Sequence, residues 1–364
     1  MICMHKFGFI IHPIETSDVT RKYGFMKKIP EGLIKQVTKI MPPQEVSKIT
    51  GVKSPYGETE GWFLAVPLVS DQMLSLPADA VTKKIIKAGR IAEDLGAEII
   101  GLGAMTSVVG DAGYTVAKNL DIAVTTGNSY TVAMAMEGTE KAAWIMGKEL
   151  EGCNAVVVGA TGSIGRVCAE LMAGRVNNLT LVSRNVGKLR NFAGELKEKT
   201  GVRAEVTDDV HEALRDADVI ITVTSAVDTV IEPVDLKPGA VVCDVARPRD
   251  VSREVVEVRD DVLVIEGGVV RVPGDVNFNF NFGFPPKMSY ACMAETMALA
   301  MEGRIENFSL GRELKADKVR EIYDICKKHG FKLAGLRSFE KEVTKEQIGR
   351  IKENATKKIK NYHA

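Results

Sequence analysis

Six cysteines are scattered along the 364-residue chain, at positions 3, 153, 168, 243, 292 and 326, and one of them has the setting of an activated thiol. Cys292 follows PPKMSY at the start of an apolar-periodic helix, where unsatisfied N–H groups and the helix dipole favour a thiolate. From position alone the better reading is a small core residue, because ACMAETMALAM is a largely apolar stretch. Glu295 lies one helical turn further on and shares the face of Cys292, or else only caps or solvates the helix. Asp275, in the preceding loop, is a weaker polar candidate. Cys153 and Cys168 flank a glycine turn, Cys243 lies inside a strand-like run, and Cys3 and Cys326 lie near the chain ends. No Cys-x-x-Cys spacing and no His/Asp/Glu cluster occurs, so reduced thiols and no bound metal are expected.

A second group of residues is suited to holding an anion. In AVVVGATGSIGRVCAELM, residues 155–172, a buried-strand pattern breaks into a glycine turn and resumes as a helix. Gly159 permits the tight turn, Gly162 lets the backbone approach a pyrophosphate, and Gly165 lets the helix pack on the strand. Thr161, Ser163 and Ile164 complete the turn. About twenty residues later LTLVSRN ends in Ser183, Arg184 and Asn185, with no carboxylate to hold a ribose diol. A 2′-phosphate is better served there, so NADPH is expected over NADH. Thr224 and Ser225, at the end of DVIITVTSA, join the candidate cofactor contacts.

Three further segments bear on a reacting carbonyl. TTGNSYTV, residues 125–132, crowds hydroxyls and amides at a strand-to-helix junction, and Thr126, Asn128 and Ser129 are candidate donors to an oxyanion. The loop GLGAMTSVVGDAG, residues 101–113, reads equally as a mobile active-site loop and as a structural turn. His12, beside the strand-like FGFII, is an acid/base candidate whose better reading is a hydrogen-bonded structural histidine.

Alternating strands and helices must position these groups. AVVVGA, LTLVSR, VRAEVT, DVIITVTSA, GAVVCDVA and VLVIEGG, with amphipathic segments between most of them, predict a Rossmann-type doubly wound parallel sheet. VTKKIIKAGRIAEDLGAEIIGLG and DIAVTTGNSYTVAMAMEGTEKAAWIMGKEL each combine helix and strand upstream of it. The expected fold is α/β, with the NADP(H) domain at residues 151–285 inserted in a second α/β substrate domain made of residues 1–150 and 286–337. Residues 338–364 form a charged tail, read as a solvated helix or a frayed end. Lys plus Arg equals Asp plus Glu at 48 each, which gives no global charge to recruit nucleic acid or a membrane surface. The apolar stretches fit neither a signal peptide nor a membrane span, and a cytoplasmic protein is expected, with homo-oligomerisation left open.

Over most of its length the chain resembles the long-chain acyl-[acyl-carrier-protein] reductases. The blocks FGFIIHP, GLGAMTSVVG, TTGNSYT, VVGATGSIG, LVSRN, EGGVV, ACMAETM, EGRIENFSLGR and HGFKLA carry the likeness in order. The resemblance implies a cysteine that takes an acyl group from a carrier-protein or coenzyme A thioester, and reduction of the acyl-enzyme by NADPH to a free aldehyde. The matching position is Cys292, which reverses the preference for a core thiol, with TTGNSYT and the GLGAMTS loop as candidate oxyanion donors. Residues 64–81 and the loop VNFNFNFGFPPK depart from the family pattern at places able to line an acyl pocket, which leaves the acyl chain undefined. Lys83, Lys84, Lys87 and Arg90 are four cations at helical spacing, a basic face for an acidic carrier protein or else simply a solvated one. Two competing readings stand beside this one: a shikimate- or amino-acid-dehydrogenase-like enzyme with direct hydride transfer, and a non-catalytic NADP(H)-sensing protein.

Overall fold

The computed structural model describes residues 4–22, 24, 28–226 and 228–362; Cys3 lies outside the described residues. The chain forms two compact units. The first comprises Met1–Tyr130, Val270–Glu313 and Arg320–Lys332; the second comprises Thr131–Val269, Leu314–Val319 and Leu333–Ala364.

In the first unit, strands β1 (Lys6–Ile11), β2 (Gln44–Ser54), β3 (Gly57–Ala65), β4 (Ile99–Leu102) and β5 (Ala123–Thr125) build one sheet. The helices α1 (Thr16–Lys22), α2 (Glu31–Ile40), α3 (Ser70–Ser75), α4 (Ala78–Asp94) and α5 (Tyr114–Lys118) lie between them in sequence. β3, β1, β4 and β5 run parallel in that spatial order, and β2 joins β3 antiparallel. The parallel core is covered by α4, whose Val81, Ile85, Ala88 and Ala92 recur at spacings of four and three and therefore share one face. They pack with Ile10, Trp62, Leu64, Ile100 and Val124 in one apolar cluster.

Helix α6 (Asn128–Ile145) leads into the second unit. Its sheet is made of β6 (Asn154–Val158), β7 (Asn178–Val182), β8 (Glu205–Thr207), β9 (Val219–Thr222), β10 (Val241–Asp244) and β11 (Leu263–Glu266). All six strands are parallel, in the spatial order β11-β10-β9-β6-β7-β8. This is the doubly wound dinucleotide-binding topology, with α7 (Ser163–Met172), α8 (Val186–Thr200), α9 (Val210–Leu214) and α10 (Arg253–Val258) in the crossovers. The inner strands β6, β9 and β10, with β11, are nearly continuous apolar runs because both faces of a parallel sheet are covered, whereas the edge strand β8 is half-exposed.

After β12 (Val269–Arg271) the chain returns to the first unit, where β13 (Gly274–Asn277) pairs antiparallel with β2 as the sheet's outer strand. The units therefore divide at 130/131 and 269/270, where the sequence suggested 150/151 and 285/286. The first residues of α6 are hydrogen-bonded into the first unit, and the chain already pairs with β2 by Gly274. Helix α11 (Ala291–Glu302) packs over β4, β1 and β3, and ten of its twelve residues are buried, which is why its sequence is apolar on every side. Two longer helices follow, α12 (Ala316–His329) and α13 (Lys345–Tyr362). The charged tail is more than a frayed end. Asn354 and Lys358 on α13 bind Asp260 at 3.1 and 2.7 Å, and Ala355 is buried.

Candidate functional site

The chemistry-bearing residues of the first unit gather where β5 turns into α6. Cys292 occupies the first turn of α11 and is half-buried, whereas Cys153, Cys168, Cys243 and Cys326 are buried. Burial pushes the thiol of Cys243 up to about 12 and raises those of Cys168 and Cys326, so none of these three is a ready thiolate. Gly127 lies directly against Cys292. A Cβ built on Gly127 would fall 2.3 Å from both Cα and Cβ of Cys292, and the Gly127 φ of +71° is itself left-handed. Only glycine meets both demands.

Below this contact the turn is tied together by one carboxylate. Glu295 is fully buried, and its Oε1 and Oε2 accept from Thr125 Oγ1 at 2.5 Å and from Tyr130 N–H at 2.8 Å. Burial drives its carboxyl up, and hydrogen bonds from Thr125, Tyr130, Ser309 and Gly127 offset only part of the rise. A second tie comes from the block ENFSLGR. Asn307 Oδ1 accepts from Val124 N–H at 2.8 Å, Phe308 N–H donates to Val124 O at 3.0 Å, and Thr126 Oγ1 donates to Ser309 O. Ser309 Oγ donates to Ser129 Oγ at 2.7 Å and accepts from Ser129 N–H at 3.3 Å.

These bonds sort the expected donors. Thr126 and Ser129 are occupied by residues 307–309, so they shape the turn. Asn128 is different: among the described residues no hydrogen bond engages its carboxamide, although only 7% of the residue is exposed. It is the donor still available beside Gly127. The GLGAMTS segment is a structural turn, with Thr106 Oγ1 donating to Gly103 O and Ser107 Oγ to Ala104 O, both at 2.7 Å. His12 anchors that turn: its Nε2 accepts from Met105 N–H at 3.1 Å while Nδ1 donates to Pro13 O at 2.9 Å. Burial lowers the imidazole to about 4. With both ring nitrogens engaged by backbone, the geometry of His12 favours its structural reading over the acid/base one.

The loop read as irregular carries a row of rings on this unit. Phe278 and Phe282 lie 6.0 and 5.3 Å from the buried Phe63 of β3, and contacts continue through Phe284 to Tyr290 at 4.6 Å, two residues before Cys292. Asp275 is held by Lys287 at 2.6 Å, away from any role suggested for it. Of the basic face on α4, Lys84 donates to Met41 O and Arg90 pairs with Glu93 and Asp121, which leaves Lys83 and Lys87 as its exposed cations.

In the second unit the glycine turn follows β6. Gly159 has φ +84°, and a Cβ there would meet Val223 O at 2.6 Å; one on Gly165 would meet Gly159 O at 2.3 Å. A Cβ on Gly162, which precedes α7, would approach Gly159 O at 3.3 Å. Ser163 and Ile164 open α7, and Thr161 Oγ1 and Ser183 Oγ are 2.7 Å apart. These residues fit a dinucleotide. Arg184 is exposed, whereas Asn185 caps α8 by accepting from Lys188 N–H at 3.0 Å. Thr224 is likewise engaged, since its N–H donates to the buried Asp250 at 2.8 Å, and Ser225 is exposed. Asp250 also takes a bond from Thr222 at 2.6 Å and so orders the loop after β9, a role that RPRDV did not advertise in the sequence. Among the described residues no cluster could hold a metal, and no helix is long and apolar enough to cross a membrane.

The Shikimate / quinate 5-dehydrogenase family model matches residues 140–265. With the parallel sheet and its glycine turn, that match marks residues 140–265 as a unit of the NAD(P)-binding, dehydrogenase-like fold. Among curated proteins, the long-chain acyl-[acyl-carrier-protein] reductase of Synechococcus elongatus is 29% identical over 351 residues, covering 89% of this chain and 98% of that one. The chain is thus similar over most of its length to a long-chain acyl-[acyl-carrier-protein] reductase, and over residues 140–265 to the dehydrogenase family. Aminotransferase PigE of Serratia sp. is 32% identical over 363 residues, which is 95% of this chain but 42% of that protein, so the chain spans under half of that relative. L-tryptophan dehydrogenase from Nostoc punctiforme aligns over 98% of this chain and 89% of its own at 14% identity, with a TM-score of 0.41.

Proposed function

We propose that the chain reduces an acyl thioester, carried by acyl carrier protein or coenzyme A, to the aldehyde through an acyl-enzyme on Cys292. The observation that carries this reading is the seating of the 125–130 turn against the half-buried Cys292. A thiolate at the start of α11 attacks the thioester carbonyl carbon and forms a Cys292 Sγ–C bond, and the carrier's C–S bond breaks with its electron pair leaving on the carrier's sulfur as thiolate. The Asn128 carboxamide supplies a donor to the oxygen on which charge develops, and Ser129, locked by Ser309, keeps the start of α6 in place. When bound, NADPH supplies the hydride that turns the acyl group into a tetrahedral oxyanion. Loss of the Cys292 thiolate from that carbon releases the aldehyde and restores the enzyme. The rings from Phe278 to Tyr290 offer an apolar surface to the acyl chain, and exposed Lys83 and Lys87 offer cations to an acidic carrier. Arg184 and Ser183 are the residues proposed to hold the 2′-phosphate.

Cys292→Ala tests the reading. It should lower aldehyde formation by more than about 1,000-fold while leaving NADPH affinity unchanged in a fluorescence titration. The match of the dehydrogenase family model to residues 140–265 favours a second reading, direct hydride transfer to a small oxo or imino acid. That reading predicts full activity in Cys292→Ala.

A further inference from the structure

Glu295 stands out because its side chain is wholly buried, yet both of its oxygens are spent on a turn from a distant part of the chain. A carboxylate in such a place is costly unless its lone pairs are satisfied, and here the satisfying groups all belong to residues that frame Cys292. Thr125 Oγ1 donates to one oxygen and also accepts from Gly127 N–H at 3.2 Å, while Tyr130 N–H donates to the other oxygen. The bonds to Thr125 and Tyr130 therefore clamp the turn at both ends, and Gly127 and Asn128 lie between them. Glu295 is on the same helix as Cys292, one turn away, so the clamp fixes the turn relative to the thiol-bearing helix itself.

We propose that Glu295 is a positioning residue for the thioester chemistry: it holds the 125–130 turn in register with Cys292 so that the Asn128 donor meets the acyl oxygen. This rests on the acyl-enzyme reading above. A hydrogen-bonded clamp matters to rate because displacing a donor by about 1 Å costs about 100-fold. Glutamine at this position keeps one acceptor but turns an NH₂ toward a donor, either the Thr125 hydroxyl or the Tyr130 N–H. The groups that bond Glu295 are the hydroxyls of Thr125 and Ser309 and the N–H groups of Tyr130 and Gly127, with the Cys326 thiol close by, and none of them is a cation.

The test is single-turnover acylation of Cys292 in Glu295→Gln, followed by intact mass with an acyl-CoA, alongside amide hydrogen exchange of residues 125–131. Acylation should slow by about 10- to 100-fold, with thioester KM within about threefold and NADPH affinity unchanged, and exchange at the turn should accelerate at least about tenfold. Thr125→Val should slow acylation by about tenfold, and Thr125→Ser, which restores the hydroxyl, should recover it. Wild-type acylation rates in Glu295→Gln and in Thr125→Val would overturn the proposal, as would a parallel collapse of KM, cofactor binding and melting temperature. If the wild-type protein forms no acyl adduct, the acyl-enzyme reading fails on its own; unchanged exchange at the turn in Glu295→Gln would separately show that this carboxylate positions nothing.

Discussion

The two strand–turn–helix junctions proposed to carry the chemistry are built in opposite ways. After β6 the turn at Gly159 is shaped by its own neighbourhood: Gly165 closes on Gly159 six residues away, and the turn leaves its helix N-terminus open for a ligand. After β5 the turn at Gly127 is shaped by distant segments, with Cys292 pressed on it, Glu295 beneath it and residues 307–309 alongside. A turn that receives a diffusible anion needs a local cradle, whereas one that serves a side-chain nucleophile must be tied to the element bearing that nucleophile.

The sharpest way to break this comparison is a methyl group in each turn. Gly127→Ala forces a side chain into a left-handed φ and onto Cys292, and should cost about 2 to 3 kcal/mol in urea unfolding and about 100-fold in thioester turnover. Gly162→Ala meets only Gly159 O at 3.3 Å, and should change stability by less than about 1 kcal/mol while weakening NADPH binding in titration. Equal effects in the two assays would erase the distinction. A smaller effect sharpens the cofactor side. Arg184→Asp puts a carboxylate where a ribose diol would be read, and should shift the NADPH-to-NADH ratio of kcat/KM about tenfold or more toward NADH.

The smallest effect on activity concerns His12. Its folded-state imidazole titrates at about 4 against 6.5 unfolded, so the folded state binds fewer protons in that window. The stability held by the neutral ring is complete above pH 6.5 and is lost as the pH falls toward 4. Relative to His12→Gln, the wild-type protein should lose up to about 3 kcal/mol over that range in chemical denaturation. The pH profile of kcat near neutrality should be the same in both.

The same contrast explains what the sequence revealed. The central strands of the second unit were legible because a parallel sheet covered on both faces demands unbroken apolar runs, whereas the edge strand β8, half-exposed, gave only a weak signal; AVVVGATGSIG keeps its glycine turn within eleven residues. In the first unit β2 was not legible: QEVSKITGVKS lies half-exposed with two register shifts, so neither alternation nor a continuous run marks it. Of the Phe- and Asn-rich loop read around VNFNFNFGF, only Gly274–Asn277 form a strand, β13, and residues 278–287 are irregular as the surrounding Gly and Pro suggested. Residues 124–130 looked rich in donors, yet which of them remain available is set by Glu295 and Ser309, about 165 and 180 positions away. No local pattern records such a pairing. Thr224 and Asn185 show the same limit on a smaller scale, since each spends its polar atoms on Asp250 or on the start of α8.

The central claim is that Cys292 carries the acyl group. Purified protein mixed with acyl-CoA and acyl carrier protein thioesters, in the absence of NADPH, should gain one acyl mass by intact mass spectrometry, mapping to the peptide with Cys292 and absent in Cys292→Ala. Unchanged mass across both panels, together with NADPH oxidation by an oxo or imino acid, would contradict the account and establish direct hydride transfer instead.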